Sequence, residues 1–541
     1  MRKTMAILAA WTCSALVGAA QSPFAPVGPD KILETDWKAA RAVELVPAST
    51  VWKIDRKPAP QVKMTSTTPI ALSPKPGDAA FTLVLNRDGT HGAVGYKVNK
   101  GESSRVVLCD LRKSTVVSRT EMPGAWIPLS LSDDAKYVVM RRFEAQKGSW
   151  DRLQIWDISG KEATKLLEFT PYPNFKTASR DIRLATFLPG NRLMTLGGVA
   201  LVTWDLKTGK AIYKLPIQPE SLPALSPDQK LLAFTTKTDV GIMDVEAGKV
   251  LVSQPVPRQL PLATMAFSPD GLRIACFATD NIFIWNVADG SLYRDIPAAG
   301  WTGSGKALGW TSNKDLRIGG NLIDIELQMR YWEYKGFLRA ATANELTWFL
   351  LPIKGGGGAL IPAEVPHEAA RKTLEKAAAD PNILVLKPGT KVKIDVSGLA
   401  DAKERDRAFE ALKARLEKNG CKADPNGTID LVASTQASDS TELRYKTVGA
   451  PADAPIRTFK FDVYFARLKF VHQGATVWES SAHNLPGDIQ LEEGETVAQH
   501  LKKNERPKYE FYQTVELPRL LLRSKGTDSL GSSQVTVSGV R

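Results

Sequence analysis

Cysteine and histidine are scarce in this chain, and each shortage narrows what it can do. Four cysteines and five histidines serve 541 residues. His91, His367, His472, His483 and His500 fall at no metal-ligand spacing such as His-Glu-x-x-His, so no metal site is expected. Cys13 lies within the first twenty residues, and Cys109, Cys276 and Cys421 make an odd set that leaves at least one thiol unpaired. All three read as reduced core residues, where a small apolar side chain is useful. No Gly-x-Ser-x-Gly elbow exists to present a nucleophilic serine. The glycine run at 355–358 leads into Ala359-Leu360, not into the Lys-Ser or Lys-Thr of a phosphate loop. Asp133-Asp134 stands without a second acidic loop to make a calcium site. No catalytic residues and no cofactor emerge, and the chain reads as a non-enzyme.

Long apolar runs are missing too, with one exception at the start. Arg2 and Lys3 precede an apolar stretch over residues 5–17, broken only by Thr12 and Ser14, and Gly18-Ala19-Ala20 follows. That is the pattern of a secretory signal peptide over residues 1–20, too short to cross a bilayer comfortably. Cys13 follows Trp11-Thr12 rather than the small residues of a lipidation site. The mature chain is expected to be exported to the periplasm or outside the cell, with no membrane span. Charge of one sign is not concentrated either. The 71 basic residues exceed the 58 acidic ones, giving +13, yet they interleave without a basic run of five. Nucleic acid is therefore not an expected partner, while a cell-wall polymer or glycan stays open.

What the chain has in abundance is a repeat. One copy runs Met265-Ala266-Phe267-Ser268-Pro269-Asp270-Gly271, then Ile282-Phe283-Ile284-Trp285-Asn286-Val287, then Asp289-Gly290. Aligned copies put Asp110, Asp157, Asp205, Asp244, Asn286 and Asp324 in one row, preceded by Cys109, Trp156, Trp204, Met243, Trp285 and Ile323. The interval is roughly 40 residues, the period of a four-stranded propeller blade. Gly209, Gly248 and Gly290 each stand four residues past the acidic row, where a bulged hairpin needs positive φ. The acidic row reads as a turn row and the large residues before it as core. On Trp156-Asp157, Trp204-Asp205, Trp285-Asn286, Ser226-Pro227-Asp228 and Ser268-Pro269-Asp270-Gly271, residues 81–362 resemble the WD40 family of propellers. The family's Gly-His pair is absent, so its His-Asp-Trp hydrogen-bond set is not carried over. Asp205-Leu206-Lys207-Thr208-Gly209-Lys210 is also similar to repeats of quinoprotein propellers.

The resulting fold class is mainly β: a WD40-type β-propeller of about seven blades followed by a smaller α+β domain. The divisions are a signal peptide (1–20), an extended leader (21–66), the propeller (67–365), a helical linker (366–384), the α+β domain (385–523) and a flexible tail (524–541). A strand at 68–72 is expected to pair with the last blade and close the ring. In the C-terminal part, strands are expected at 391–396, 429–433, 459–470, 475–480 and 510–517, with helices at 401–419 and 495–503. This part is loosely similar to strand-helix-strand domains of exported bacterial lipoproteins and envelope accessory proteins.

Aromatic residues in the loops supply the functional reading. Trp126, Tyr172, Phe175 and Trp301 fall in expected inter-blade connections, and Trp150 falls in the longest middle-strand loop, 144–151. Such loops emerge on one face, so the five are expected to form a partner-binding rim, the competing use being to lid the ring or pack on the leader. The expectation is an exported, non-catalytic interaction scaffold that binds protein partners in the bacterial envelope. The alternatives are a carbohydrate- or cell-wall polymer-binding module, or a quinoprotein- or lactonase-like enzyme working in the central funnel. The lack of vicinal cysteines and of clustered His, Asp and Glu weighs against the last.

Overall fold

The computed structural model describes residues 24, 32–33, 35–47, 51–60, 64, 68–73, 75, 77–98, 101–143, 150–160, 162–173, 181–198, 200–218, 220–256, 260–278, 281–298, 308–352, 358–379, 383–445, 457–486, 494–515, 517–523 and 529–541. The segment read as a signal peptide, together with Phe175 and Trp301, lies outside them.

Six antiparallel four-stranded blades succeed one another along the chain. The first comprises Ala79–Leu85, His91–Val98, Ser103–Asp110 and Thr115–Pro123. The others begin at Trp126–Leu131, Leu184–Leu188, Ala224–Leu225, Thr264–Phe267 and Leu308–Trp310. A seventh has three consecutive strands, Arg339–Ala343, Leu346–Pro352 and Gly358–Glu364, and takes its fourth, Ile70–Ala71, from the N-terminal side. The protein is thus a seven-bladed β-propeller with its ring clasped by an early strand. An apolar cluster fills each junction between neighbouring blades. At the clasp, Val94 and Val107 of the first blade meet Trp348, Leu350 and Leu360 of the seventh.

The turn row accounts for the regularity. Ser268 Oγ donates to Asp270 (2.5 Å) and accepts from Arg273 N (2.9 Å). Ser226 repeats this with Asp228 and Leu231 N, and Ser132 with Asp134 and Tyr137 N. The acidic row caps the other hairpin: Asp157 accepts from Ser159 N, Asp205 from Lys207 N and Asp324 from Glu326 N. These carboxylates are spent on backbone N–H groups that a tight turn would otherwise leave unpaired. Trp204 and Trp285 behind them are fully buried. Cys109, Cys276 and Cys421 are free and buried.

The leader straps the ring. Arg41–Ala42 adds a parallel fifth strand to the third blade. Farther on, Arg41 donates to the Ala247 and Gly248 carbonyls, Trp52 Nε1 to Val287 O (2.9 Å), and the Ala59 amide to Asp270 O. Gly290 has φ +67°, and a Cβ there would stand 2.5 Å from the Trp52 ring. That glycine therefore serves the turn and also makes room for the strap.

The far C-terminus behaves unlike the flexible tail expected for 524–541. Gly531–Thr536 lies parallel on Met329–Lys335 and adds a strand to the sixth blade. Val535 enters the apolar cluster with Tyr331, Trp332 and Tyr334, and Trp332 Nε1 donates to Ser533 Oγ (3.2 Å). The alternation of Ser533 and Val535 toward the blade holds it there, against a Gly-, Ser- and Thr-rich composition. The helix Glu368–Ala379 joins the same cluster through Ala370 and Leu374.

The C-terminal part is a five-stranded sheet in the order Lys422–Ala423, Lys391–Gly398, Ile429–Ala437, Tyr464–His472, Ala475–His483. The helix Ala402–Lys418, capped by Asp401, buries Ala408, Leu412 and Leu416 on one face. Two local expectations fail. The strand expected at 459–470 breaks at Asp462-Val463, because Arg457–Phe461 turns away to pair with Thr441–Tyr445. The strand expected at 510–517 is instead a short helix, Glu510–Thr514, which buries Tyr512 and lets its hydroxyl donate to Ser434 O (2.7 Å).

Candidate partner-binding site at the loop face

The meander gives the ring two unlike faces. Turns joining the first to the second strand and the third to the fourth emerge on one face, here the turn face. The middle loops and inter-blade connections emerge on the other, here the loop face. The contacts of Arg41 with the Ala247 and Gly248 carbonyls, of Trp52 with Val287, of Ala59 with Asp270, and those of Met64 N to Asn344 O and Thr68 N to Ser114 Oγ fall on turn-face residues. Arg41–Ala42, by contrast, runs along the outer strand of the third blade, and Thr35 Oγ1 donates to Thr170 O (2.6 Å) in the connection between the second and third blades.

The five aromatics expected at the rim divide. Tyr172 is fully buried, and its hydroxyl meets Thr195 O (3.0 Å), Thr195 Oγ1 (2.9 Å) and Ala200 O (3.0 Å). Its ring occupies the space that a side chain at Gly197 would need, a Cβ there standing 2.5 Å away. Trp126 is also buried. It opens the first strand of the second blade rather than sitting in a loop, pairs with Arg142 and donates from Nε1 to Pro123 O (3.0 Å). Both face the junctions between blades, which correct their expected place on the rim. Phe175 and Trp301 lie outside the described residues.

Trp150 is the member that reaches a cluster at the loop face. It stacks on Phe143, with centroids 5.9 Å apart and planes 18° from parallel, and Phe143 packs on Phe81 at 5.1 Å. Cations cover these rings. Lys97 Nζ stands 3.6 Å from the Phe143 centroid and 4.6 Å from that of Phe81. Arg141 lies over Trp150 at 5.0 Å, and Arg339 over Phe81 at 5.9 Å. Three blades supply the set. Phe81 and Lys97 come from the first, Arg141, Phe143 and Trp150 from the second, and Arg339 from the seventh. Each stands at a strand's loop-face end, so the ring architecture itself brings them together. Burial lowers the pKa of Lys97 from its ordinary value. Burial does the same to Arg141, with Asp181 nearby acting in the opposite direction. Asp181 also accepts from the Trp150 amide at 3.4 Å. Sequence reasoning found Trp150 alone. The available signal was the pair of aromatics, Phe143 and Trp150, bracketing the longest middle loop.

A second feature is an axial cavity of about 1070 Å³ opening at the turn face. The inner strands of blades four to seven line it with Leu225, Phe267, Trp310 and Ala341, and Ala59 and Pro60 of the leader edge it. Its lining holds neither histidine nor cysteine. Of its four carboxylates, Asp228 pairs with Arg56, Glu364 with Arg371, and Asp88 accepts from Thr90, while Glu345 completes the lining. Arg317, fully buried on the wall, donates to Gly319 O and Ala340 O, and burial pushes its pKa down to about 10. Arg141 similarly donates to Ile182 O of the next blade, so both guanidinium groups staple neighbouring blades. Among the described residues no group of three or more His, Cys, Asp or Glu is placed to hold a metal ion. Nor is any helix among them long and apolar enough to cross a membrane.

No protein-family model and no curated protein matches the sequence. Among solved structures, a chain of Kuenenia stuttgartiensis hydrazine synthase aligns with a TM-score of 0.39 and 14% identity, over 53% of this chain and 95% of that one. A likeness at that level says nothing about chemistry.

Proposed function

We propose that this protein is an exported, non-catalytic scaffold of WD40 type that captures a protein partner on the loop face of its ring. The observation that carries the reading is the aromatic and cationic cluster at the loop face. Trp52, Ala59 and Met64 of the leader engage turn-face residues, while the loop-face mouth shared by the first, second and seventh blades presents Phe81, Phe143 and Trp150 half-buried under cations. Aromatic rings anchored on a rigid frame bury large area at little entropic cost, which makes them common anchors of interfaces. A glycan or cell-wall polymer is the second reading, favoured by the gathering of half-buried aromatic rings at the loop face.

The test is capture from envelope extract by the mature chain and by Trp150→Ala. A central aromatic anchor is worth about 2 kcal/mol, or roughly thirtyfold in affinity. Loss of capture at an unchanged melting temperature is expected. Capture that survives the substitution would place the partner elsewhere. N-terminal sequencing of the exported protein is expected to begin near Gln21, and a start at Met1 would remove the export reading.

A further inference from the structure

We infer that the loop-face cluster recognises an acidic peptide segment, with Lys97 and Arg339 taking its carboxylates and the Phe143–Trp150 stack taking its apolar side chains; this rests on the loop face being the partner surface. The argument begins with charge. Lys97 sits between two aromatic faces, and a ring attracts an ammonium group without neutralising it. Among the described residues no carboxylate pairs with Lys97 or with Arg339. Burial is the cause that acts on the Lys97 ammonium, with no acid opposing it. Arg339 donates to Leu338 O and keeps its exposed side over Phe81. Asp181 acts on Arg141, so among the described residues the cluster holds three cations and one carboxylate.

Hydrogen-bonding capacity points the same way. The buried polar atoms of the cluster that lack a partner, Trp150 Nε1 and Arg141 Nε, are both donors, and an acceptor reaches them only if the rings above them shift. A site of donors and cations is complementary to a group that only accepts, which a carboxylate is and an amide or hydroxyl is not. Partial burial by the rings reduces solvent screening, so a carboxylate docking here gains more than it would on an open surface. The flat rings beside the cations add an apolar requirement that a bare anion does not meet. An acidic side chain and an aromatic or aliphatic one close together in a peptide meet both.

Fluorescence anisotropy with the mature full chain tests this. The probes are a labelled peptide of alternating Glu and Tyr, its Gln and Tyr counterpart, and polygalacturonate as an anionic glycan. The Glu peptide is expected to bind, weakening as salt rises. Lys97→Gln and Arg339→Gln are each expected to weaken it about tenfold. Lys97→Arg is expected to retain most of the affinity. Lys237→Gln, in the exposed middle loop of the fourth blade, is expected to change nothing. Equal binding of the Gln peptide, indifference to both charge substitutions, or preference for polygalacturonate would each overturn the acidic-peptide assignment. The envelope capture assay separates the two levels. If Trp150→Ala loses the partner and Lys97→Gln keeps it, the charge assignment fails and the loop-face reading stands. If both variants keep it, both fail.

Discussion

Tyr172→Phe isolates what the ring asks of a residue that its sequence position would assign to a binding rim. Trp204 Nε1 donates to Thr195 Oγ1 (2.9 Å), and that hydroxyl meets the Tyr172 hydroxyl, which lies within 3.0 Å of the Thr195 and Ala200 carbonyls. One phenol thus links a buried indole, a buried hydroxyl and two carbonyls where water does not reach. Burial also raises the Tyr172 pKa, keeping the phenol protonated and able to donate. Phenylalanine preserves the ring packing against Gly197 and removes only the oxygen. The Thr195 hydroxyl and a carbonyl then lose a partner, at about 1–3 kcal/mol for each buried group left unpaired. A total of about 2–6 kcal/mol corresponds, for a cooperative ring of roughly 300 residues, to a fall in melting temperature on the order of 3–10 °C. Calorimetry of the mature chain reads the shift, and capture of the envelope partner is expected to be unchanged. An unaltered melting temperature together with lost capture would refute the reasoning and return Tyr172 to the binding surface.

Three further outcomes are expected. Trp285→Ala removes a fully buried indole stacked on Phe283 at 5.7 Å and should cost about 3–5 kcal/mol, read by denaturant titration; wild-type stability would show that the tryptophan row is not core. Deleting residues 529–541 should leave the blades folded while exposing Trp332, seen as a red shift in fluorescence and faster amide exchange over Met329–Lys335; no change in either would mean the tail does not seal that blade. His367 contacts the Tyr334 hydroxyl (2.9 Å) and Ser533 (3.2 Å), and burial holds its pKa below the ordinary 6.5, with Arg371 adding to the effect. Its contribution to stability is therefore full above pH 6.5 and is lost as pH falls from there through the lower folded value, so the melting temperature should decline in that window and His367→Gln should flatten the decline.

Sequence periodicity made the ring legible because each blade writes its own turn chemistry. Ser268, Asp270 and Asn286 all act within a few residues of themselves, and the same holds in blade after blade. The clasp at Ile70 was also visible, as a short apolar strand with no local partner. What stayed hidden depends on apposition. Phe81, Phe143 and Arg339 are far apart in sequence and meet only because strands of three blades end at one mouth. Tyr172 and Trp126 lie beside connections, and nothing local reveals that Gly197 leaves room for a ring or that Ser104 Oγ accepts from the Trp126 amide. The strand at Gly531–Thr536 was masked by its small polar residues, although Val535 and Val537 alternate. The Glu510–Thr514 helix was missed because its aromatics suit a strand locally, and only the packing of Tyr512 beneath the sheet selects the helix.

The clasp also sets an order of events. Ile70 pairs with Leu360, roughly 290 residues away, and contacts at such separation close late because a long loop must first be gathered in. The clasp strand leaves the ribosome long before the blade it completes. Until residues 358–364 follow, the nascent chain carries an open edge at each end of an unclosed arc, either of which can pair with another chain. Closing the circle is consequently the step that removes both open edges and with them the route to edge-to-edge aggregation.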